Sequence, residues 1–188
     1  MDADVPEGGS NRRLNRAVAI TVVLFSVFMG VSHIKDDNLV QAMQQAKADS
    51  VDRWNEYQAE RTKLHVSEAA RQEIALIGPQ SVDKAAAARA LAQYDSDIAK
   101  YRAEAPKVKQ DAKDNEALYD ALNVHDDQFD ASDALLTIAV SLSAVSALVE
   151  MWTLLAGGWI FGTFGILMGI AGFAGWSLHP DFLARALS

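Results

Sequence analysis

Residues 134–178 read ALLTIAVSLSAVSALVEMWTLLAGGWIFGTFGILMGIAGFAGWSL, 45 positions in which Glu150 is the single charged side chain. A bilayer's hydrocarbon core is roughly 30 Å thick and takes about 20 helical residues to cross. The stretch is too long for one crossing and suits two. Gly157-Gly158 lies near its middle, where backbone freedom serves a tight turn. The spans expected are therefore 134–155 and 159–178.

Glycines recur at 158, 162, 165, 169 and 172, a 4-3-4-3 spacing that sets all five on one helix stripe. Small or polar residues keep the same rhythm in the preceding span: Ala139, Ser143, Ser146, Glu150 and Thr153. Folding about Gly157-Gly158 would pair Thr153 with Gly162, Glu150 with Gly165, Ser146 with Gly169 and Ser143 with Gly172. Lipid offers no hydrophobic drive between helices, so close backbone approach and inter-helix hydrogen bonds must hold them together. A tight transmembrane hairpin is the expectation; self-association of protomers through the glycine stripe is the rival use. Glu150 is the one acid inside the spans, a costly residue there and hence a candidate for ion or proton handling. It lies about 10 Å from the expected turn at helical rise, so a structural or interfacial role carries more weight. Trp152, Trp159 and Trp176 suit the membrane interfaces.

Upstream, Ala17 to Ile34 (AVAITVVLFSVFMGVSHI) forms a third apolar run, rising about 27 Å as a helix. No small-x-small cleavage pattern follows it, so a membrane anchor is expected over a removed signal. Arg12, Arg13 and Arg16 precede the run and only Lys35 follows closely, which places the 1–16 tail in the cytoplasm. Residues 35–133 then lie on the far side, in the periplasm if the cell is Gram-negative, and the 179–188 tail ends there too. Transmembrane helix 1 is 17–34, helix 2 is 134–155 and helix 3 is 159–178.

Residues 35–133 carry 13 Lys/Arg and 20 Asp/Glu, most of the charge in a chain of 188 residues with a net −8. An acidic surface of this kind argues against nucleic acid as a partner. No cysteine is present, which excludes disulfides, thiolate metal sites and thiol catalysis. From Val31 to Ile77 there is neither Gly nor Pro, so one helix can run unbroken out of the first span. Leu39, Met43, Ala46, Trp54, Tyr57 and Leu64 recur at near-heptad spacing, with Ser50 and Arg61 as polar interruptions. Gly78-Pro79 turns the chain, and Ser81 suits the N-cap of the return helix. Ala88, Leu91, Tyr94, Ile98, Tyr101 and Ala105 share a face there; Pro106 should stop or kink the helix, after which Val108, Ala112, Leu118, Tyr119 and Leu122 continue. The return arm is longer than the outgoing one, so a non-helical joint is expected around Asn123 to Phe129. Asp130-Ala-Ser-Asp133 would then cap the second span. Such an Ala-rich, polar-interrupted seam buries little, which favours pairing with another protomer or partner helix at Trp54, Tyr57, Gln58, Leu64, Leu91, Ile98 and Tyr101.

His33, His125 and His179 fall near the outer surface in this topology, level with Asp36, Asp37, Asp126, Asp127 and Asp181. These types suit a divalent metal, yet none shows i,i+4 ligand spacing, and a solvated boundary layer is the preferred reading. No cofactor motif and no catalytic set is present.

The order of elements resembles the bacterial membrane proteins of the domain-of-unknown-function 4337 family, over roughly residues 15–185. Three stretches carry the likeness: Gln44-Gln-Ala-Lys-Ala48 with Trp54-Asn-Glu-Tyr-Gln-Ala59, then Phe129-Asp-Ala-Ser-Asp-Ala-Leu-Leu136, then the Gly-rich last span. The resemblance implies three crossings and a coiled segment, and it brings no established activity or ligand. One departure touches orientation: family members often carry basic residues in the last turn, whereas this chain has Glu150 and no Lys or Arg there.

The expectation is thus an all-α integral membrane protein with three transmembrane helices and an extramembrane antiparallel, coiled-coil-like hairpin between the first and second. It would be a non-enzymatic homo-oligomer or an accessory subunit of a larger membrane complex. A pore using Glu150 and the Ser/Thr seam is the alternative, and an envelope pH or metal sensor a weaker one.

Overall fold

In the computed structural model the described residues, 11–80 and 82–176, are helical almost throughout, with no strand among them. The order is α1 (Arg12–Ile77), a 3-10 turn (Gly78–Gln80), α2 (Lys84–Val149) and α3 (Trp152–Ala174). All three helices are long and apolar enough, by length and composition, to cross a membrane. Asn11 caps α1 by accepting the Leu14 N–H at 3.3 Å. Asp83 caps α2, accepting the Ala86 N–H at 2.9 Å on its side chain. Ser81, the expected cap, lies outside the described residues, as do His179, Asp181 and the 179–188 tail.

Two expected interruptions are absent. Pro106 sits inside α2 instead of stopping it. A mid-helix proline costs about 3 kcal/mol, and here its exposed position leaves the freed carbonyl to water while buried Ala105 and Ala112 hold the helix on either side. The joint at 123–129 and the cap at Asp130–Asp133 are also absent, because α2 is continuous through both. A cap needs a free helix end, and Gln128, Phe129 and Ser132 are instead packed into the interior.

The chain divides into two compact units, one of residues 43–120 and the other of the segments before and after it. In the first, contacts between α1 and α2 descend on one helix as they climb on the other. Lys47 lies over the Tyr119 ring, Trp54 Nε1 donates to Glu116 Oε1 at 2.8 Å, and Arg102 reaches Glu68 at 2.6 Å. Arg71 pairs with Asp95 nearest the 3-10 turn. Met43, Ala46, Ser50, Glu60, Ser67, Gly78, Ile98, Ala105 and Ala112 are the buried residues described in this unit. Glu60 takes the seam place expected of Arg61, which is exposed, and Leu118 points outward as well.

The second unit packs the start of α1, the end of α2 and α3 together. Its α2–α3 turn corrects an expectation. The chain reverses at Glu150-Met151, one heptad before Gly157-Gly158, and both glycines lie inside α3. Glu150 takes a left-handed conformation, φ 54°, and the Met151 N–H bonds the Ser146 carbonyl at 3.2 Å. This is a Schellman closure built on a residue with a side chain. Ser146 Oγ donates to the Met151 carbonyl at 2.8 Å and ties the reversal down.

Moving the turn shifts every facing pair. A Cβ on Gly158 would lie 2.9 Å from the Ala139 carbonyl and 3.0 Å from Ser143 Oγ. Gly165 abuts Leu136 and Ser132, and Gly172 abuts Phe129. Gly162 and Gly169 also receive α1, through Phe25 and Phe28. Thr153 and Glu150, expected opposite glycines, are exposed. The stripe survives the shift because a heptad repeat presents the same face after any whole number of repeats.

Candidate functional site

The most chemically dense place in the second unit is where α1 and α2 change from apolar to acidic. On α1, Ser32, His33 and Asp36 fall within little more than one turn. On α2, Asp126, Asp130 and Asp133 recur at four- and three-residue spacing, which keeps them on one face. His33 Nε2 lies 3.2 Å from Asp133 Oδ1, an ion-pair distance without hydrogen-bond alignment. Asp36 and Asp126 stand within hydrogen-bond reach of each other, a contact that favours the protonated form of Asp36. Partial burial, then the charges of Asp126 and Asp130, push the Asp36 pKa up to about 6, with His33 opposing. Burial also raises Asp126 and Asp130, reinforced for each by neighbouring aspartates.

Between the two helices is a cavity of about 40 Å³. Its polar wall comprises Ser32, His33, Asp36, Asp130, Ser132 and Asp133, over an apolar floor that includes Leu136. Below it an aromatic collar closes the bundle: Phe129 and Phe28 each meet Phe173 edge-on, with ring centres 5.2 and 6.4 Å apart. Glycine makes room for these rings, since Phe129 occupies the notch of Gly172 and Phe28 that of Gly169. Gln128, fully buried, donates from Nε2 to the Trp176 carbonyl at 2.7 Å beyond the end of α3. A carbonyl can only accept, so the amide's orientation is set, and its Oε1 faces His125 Nδ1 at 3.2 Å. His125 must then carry its proton on Nδ1 to donate.

Among the residues singled out from sequence, Ser143 and Ser146 are fully buried, the first bonding the Ala139 carbonyl at 2.7 Å. Gly158, Gly162, Gly165, Gly169 and Gly172 are buried on the same stripe. Glu150 stands off that seam at the turn, apart from the aspartates. Trp159 donates to Thr21 Oγ1 at 2.9 Å, tying α3 to α1. In the acidic unit Trp54 meets Tyr57 edge-on at 5.7 Å, and Tyr57 and Leu64 border one groove with Ala105. Ile98 is buried, Leu91 and Tyr101 are partly buried, and Gln58 is exposed on the outer face. Lys63 and Lys100 lie over the Tyr101 ring.

Sequence reasoning passed over Ser32, Ser132 and Gln128. The signal for Ser132 was present, because extending the Ser146–Ser143–Ala139 rhythm upstream reaches Leu136, Ser132 and Phe129. The supposed joint at 123–129 hid it. Among the described residues no group of three His, Asp or Glu could hold a metal ion.

A family model described as "Domain of unknown function (DUF4337)" matches residues 14–175. No curated protein and no solved structure matches the chain.

Proposed function

The chain belongs to the domain-of-unknown-function 4337 family, and from that premise we propose a non-enzymatic integral membrane protein that acts by helical assembly. It pairs with copies of itself or serves as an accessory subunit of a larger membrane complex. Residues 17–34, the end of α2 and α3 cross the bilayer; residues 35–133 form an antiparallel helical hairpin outside it. The N-terminus faces the cytoplasm of a bacterial inner membrane and the hairpin faces the periplasm.

The observation that carries the membrane part is an inverted distribution of side chains. Ile20, Val23, Leu24, Val27, Ile160 and Phe164 are exposed, while Thr21, Ser32, Ser132, Ser143 and Ser146 are buried. A bundle in water would do the reverse, whereas one in lipid gains from small and polar residues inside. In the acidic unit the seam is equally lean, with Ser50, Glu60 and Ser67 buried and Val66, Leu76 and Ile77 exposed. Those outward apolar residues suit a further helix.

Crosslinking in native membranes followed by sizing in mild detergent is the test. A defined oligomer or complex is expected; a clean monomer at native expression overturns the reading.

A further inference from the structure

Four of the buried oxygens without a hydrogen-bond partner converge on one place: Ser32 Oγ, Asp36 Oδ1, Ser132 Oγ and Asp133 Oδ1 all belong to residues lining the 40 Å³ cavity between α1 and α2. Ser32 is 7% and Ser132 0% exposed. Buried hydroxyls in helices ordinarily satisfy themselves on the carbonyl four residues back. Buried Ser143 does so in this chain at 2.7 Å, as do exposed Ser141 and Thr163, each at 2.8 Å. Ser32 and Ser132 do not, and a buried hydroxyl left without a partner is destabilising. Two such hydroxyls beside two carboxylate oxygens without a hydrogen bond, Asp133 Oδ1 having only the His33 ring at 3.2 Å, form a cradle of acceptors around a common void.

We propose that this cavity binds one small monovalent cation of the sodium class, held by Ser32, Ser132, Asp36 and Asp133. The space is larger than the roughly 10–15 Å³ that one water needs by this measure, so the ion retains a water of its own. All the donors are oxygens, the preference of a hard cation. Charge points the same way. Asp36, Asp126, Asp130 and Asp133 face the region, His33 is the only basic group lining the cavity, and α3 contributes no charged residue. A calcium- or magnesium-class ion needs a fuller set of carboxylate oxygens, and no three acids or histidines converge among the described residues. The site also goes beyond assembly as a role, since it would tie α1 to α2 through a shared ligand and make their packing respond to the ion.

The test uses the full chain in detergent at pH 8 and constant ionic strength, with sodium chloride exchanged for choline chloride. Sodium is expected to broaden the sodium-23 resonance in excess of choline-matched blanks and to raise the unfolding temperature by a few degrees, through preferential binding to the folded state. Asp36→Asn and Ser132→Ala should weaken both effects about tenfold, the loss expected for one ligand to a charged group. Asp37→Asn, one residue away but outside the cavity lining, should leave both intact. Equal broadening in the wild type and Asp36→Asn, or loss of the effect in Asp37→Asn as well, would overturn the proposal and leave a cavity filled by water alone. Because none of these readouts depends on oligomeric state, a monomer with a sodium effect would sink only the assembly reading.

Discussion

Asp36 gives the bundle an unusual response to acid. Its pKa in the folded chain is raised to about 6, above the roughly 3.9 of an unfolded aspartate. The folded state therefore holds the proton more tightly. Its stabilising contribution is complete below the unfolded value and is lost as pH climbs through about 6. In choline buffer, unfolding temperatures should fall between pH 4 and pH 7 in the wild type. The slope should flatten in Asp36→Asn, and an unchanged slope in that variant would count against this assignment. Glu150 makes a second single-residue case. A left-handed backbone strains any residue with a Cβ, and glycine occupies the equivalent place after α3, at Gly175. Replacing Glu150→Gly should stabilise the folded chain by about 1 kcal/mol in reversible detergent unfolding. A loss of stability would assign the carboxylate a contact of its own.

At the level of helices, adjacent glycines should behave in opposite ways. A methyl on Gly158 would press on the backbone carbonyl of Ala139, which cannot rotate away, whereas one on Gly157 meets only Leu142 Cδ1 at 3.8 Å. Gly158→Ala is expected to cost about 1–3 kcal/mol. Gly157→Ala should be neutral or gain about 0.5–1 kcal/mol as a helix interior loses its glycine. If the chain turned at Gly157-Gly158, both substitutions would harm it. The comparison also explains what was legible. The small-residue stripes of α2 and α3 were readable from spacing alone, and so was the face each presents. Their register was not, because a seven-residue repeat fits its partner equally well one heptad up or down. A Gly-Gly pair resembles a turn and a lone glutamate does not, yet at 157–158 the glycines serve close packing. In α2 the same reasoning stopped at Pro106 and Asn123, where local preference was overridden by packing on both sides. The ion cavity was out of reach for that reason, since its α2 wall was assigned to a helix end.

For the whole chain, the 43–120 unit holds most of the charged side chains and the other unit holds the apolar runs, so each should answer to a different perturbation. The ion pairs of the acidic unit, Arg71–Asp95 and Arg102–Glu68, are largely exposed. Solvent-screened pairs of this kind contribute little to stability, so Arg102→Ala should leave the unfolding temperature nearly unchanged and 0.5 M salt should matter little. Membrane attachment should instead survive alkaline carbonate. Release into the supernatant would contradict the three crossings, and digestion of the acidic unit by a protease confined to the cytoplasmic side would reverse the orientation. The number of helices long and apolar enough to cross a membrane followed directly from composition. The lean interior of the acidic unit followed too, from its alanines and serines, whereas Glu60 in place of Arg61 required the helix phase that only coordinates supply.

The notches along α3 are already full: Phe25, Phe28 and Phe129 sit over Gly162, Gly169 and Gly172, and Leu136 and Ser143 close on Gly165 and Gly158. With these helices in a bilayer, as proposed, a neighbouring copy would find no vacant zipper within the fatty layer. Protomers meeting there would touch through supple, bulky flanks such as Leu24, Phe161 and Phe164, greased by acyl chains and sensitive to their length and order. In that setting any rigid bond between copies would have to be forged outside the oil.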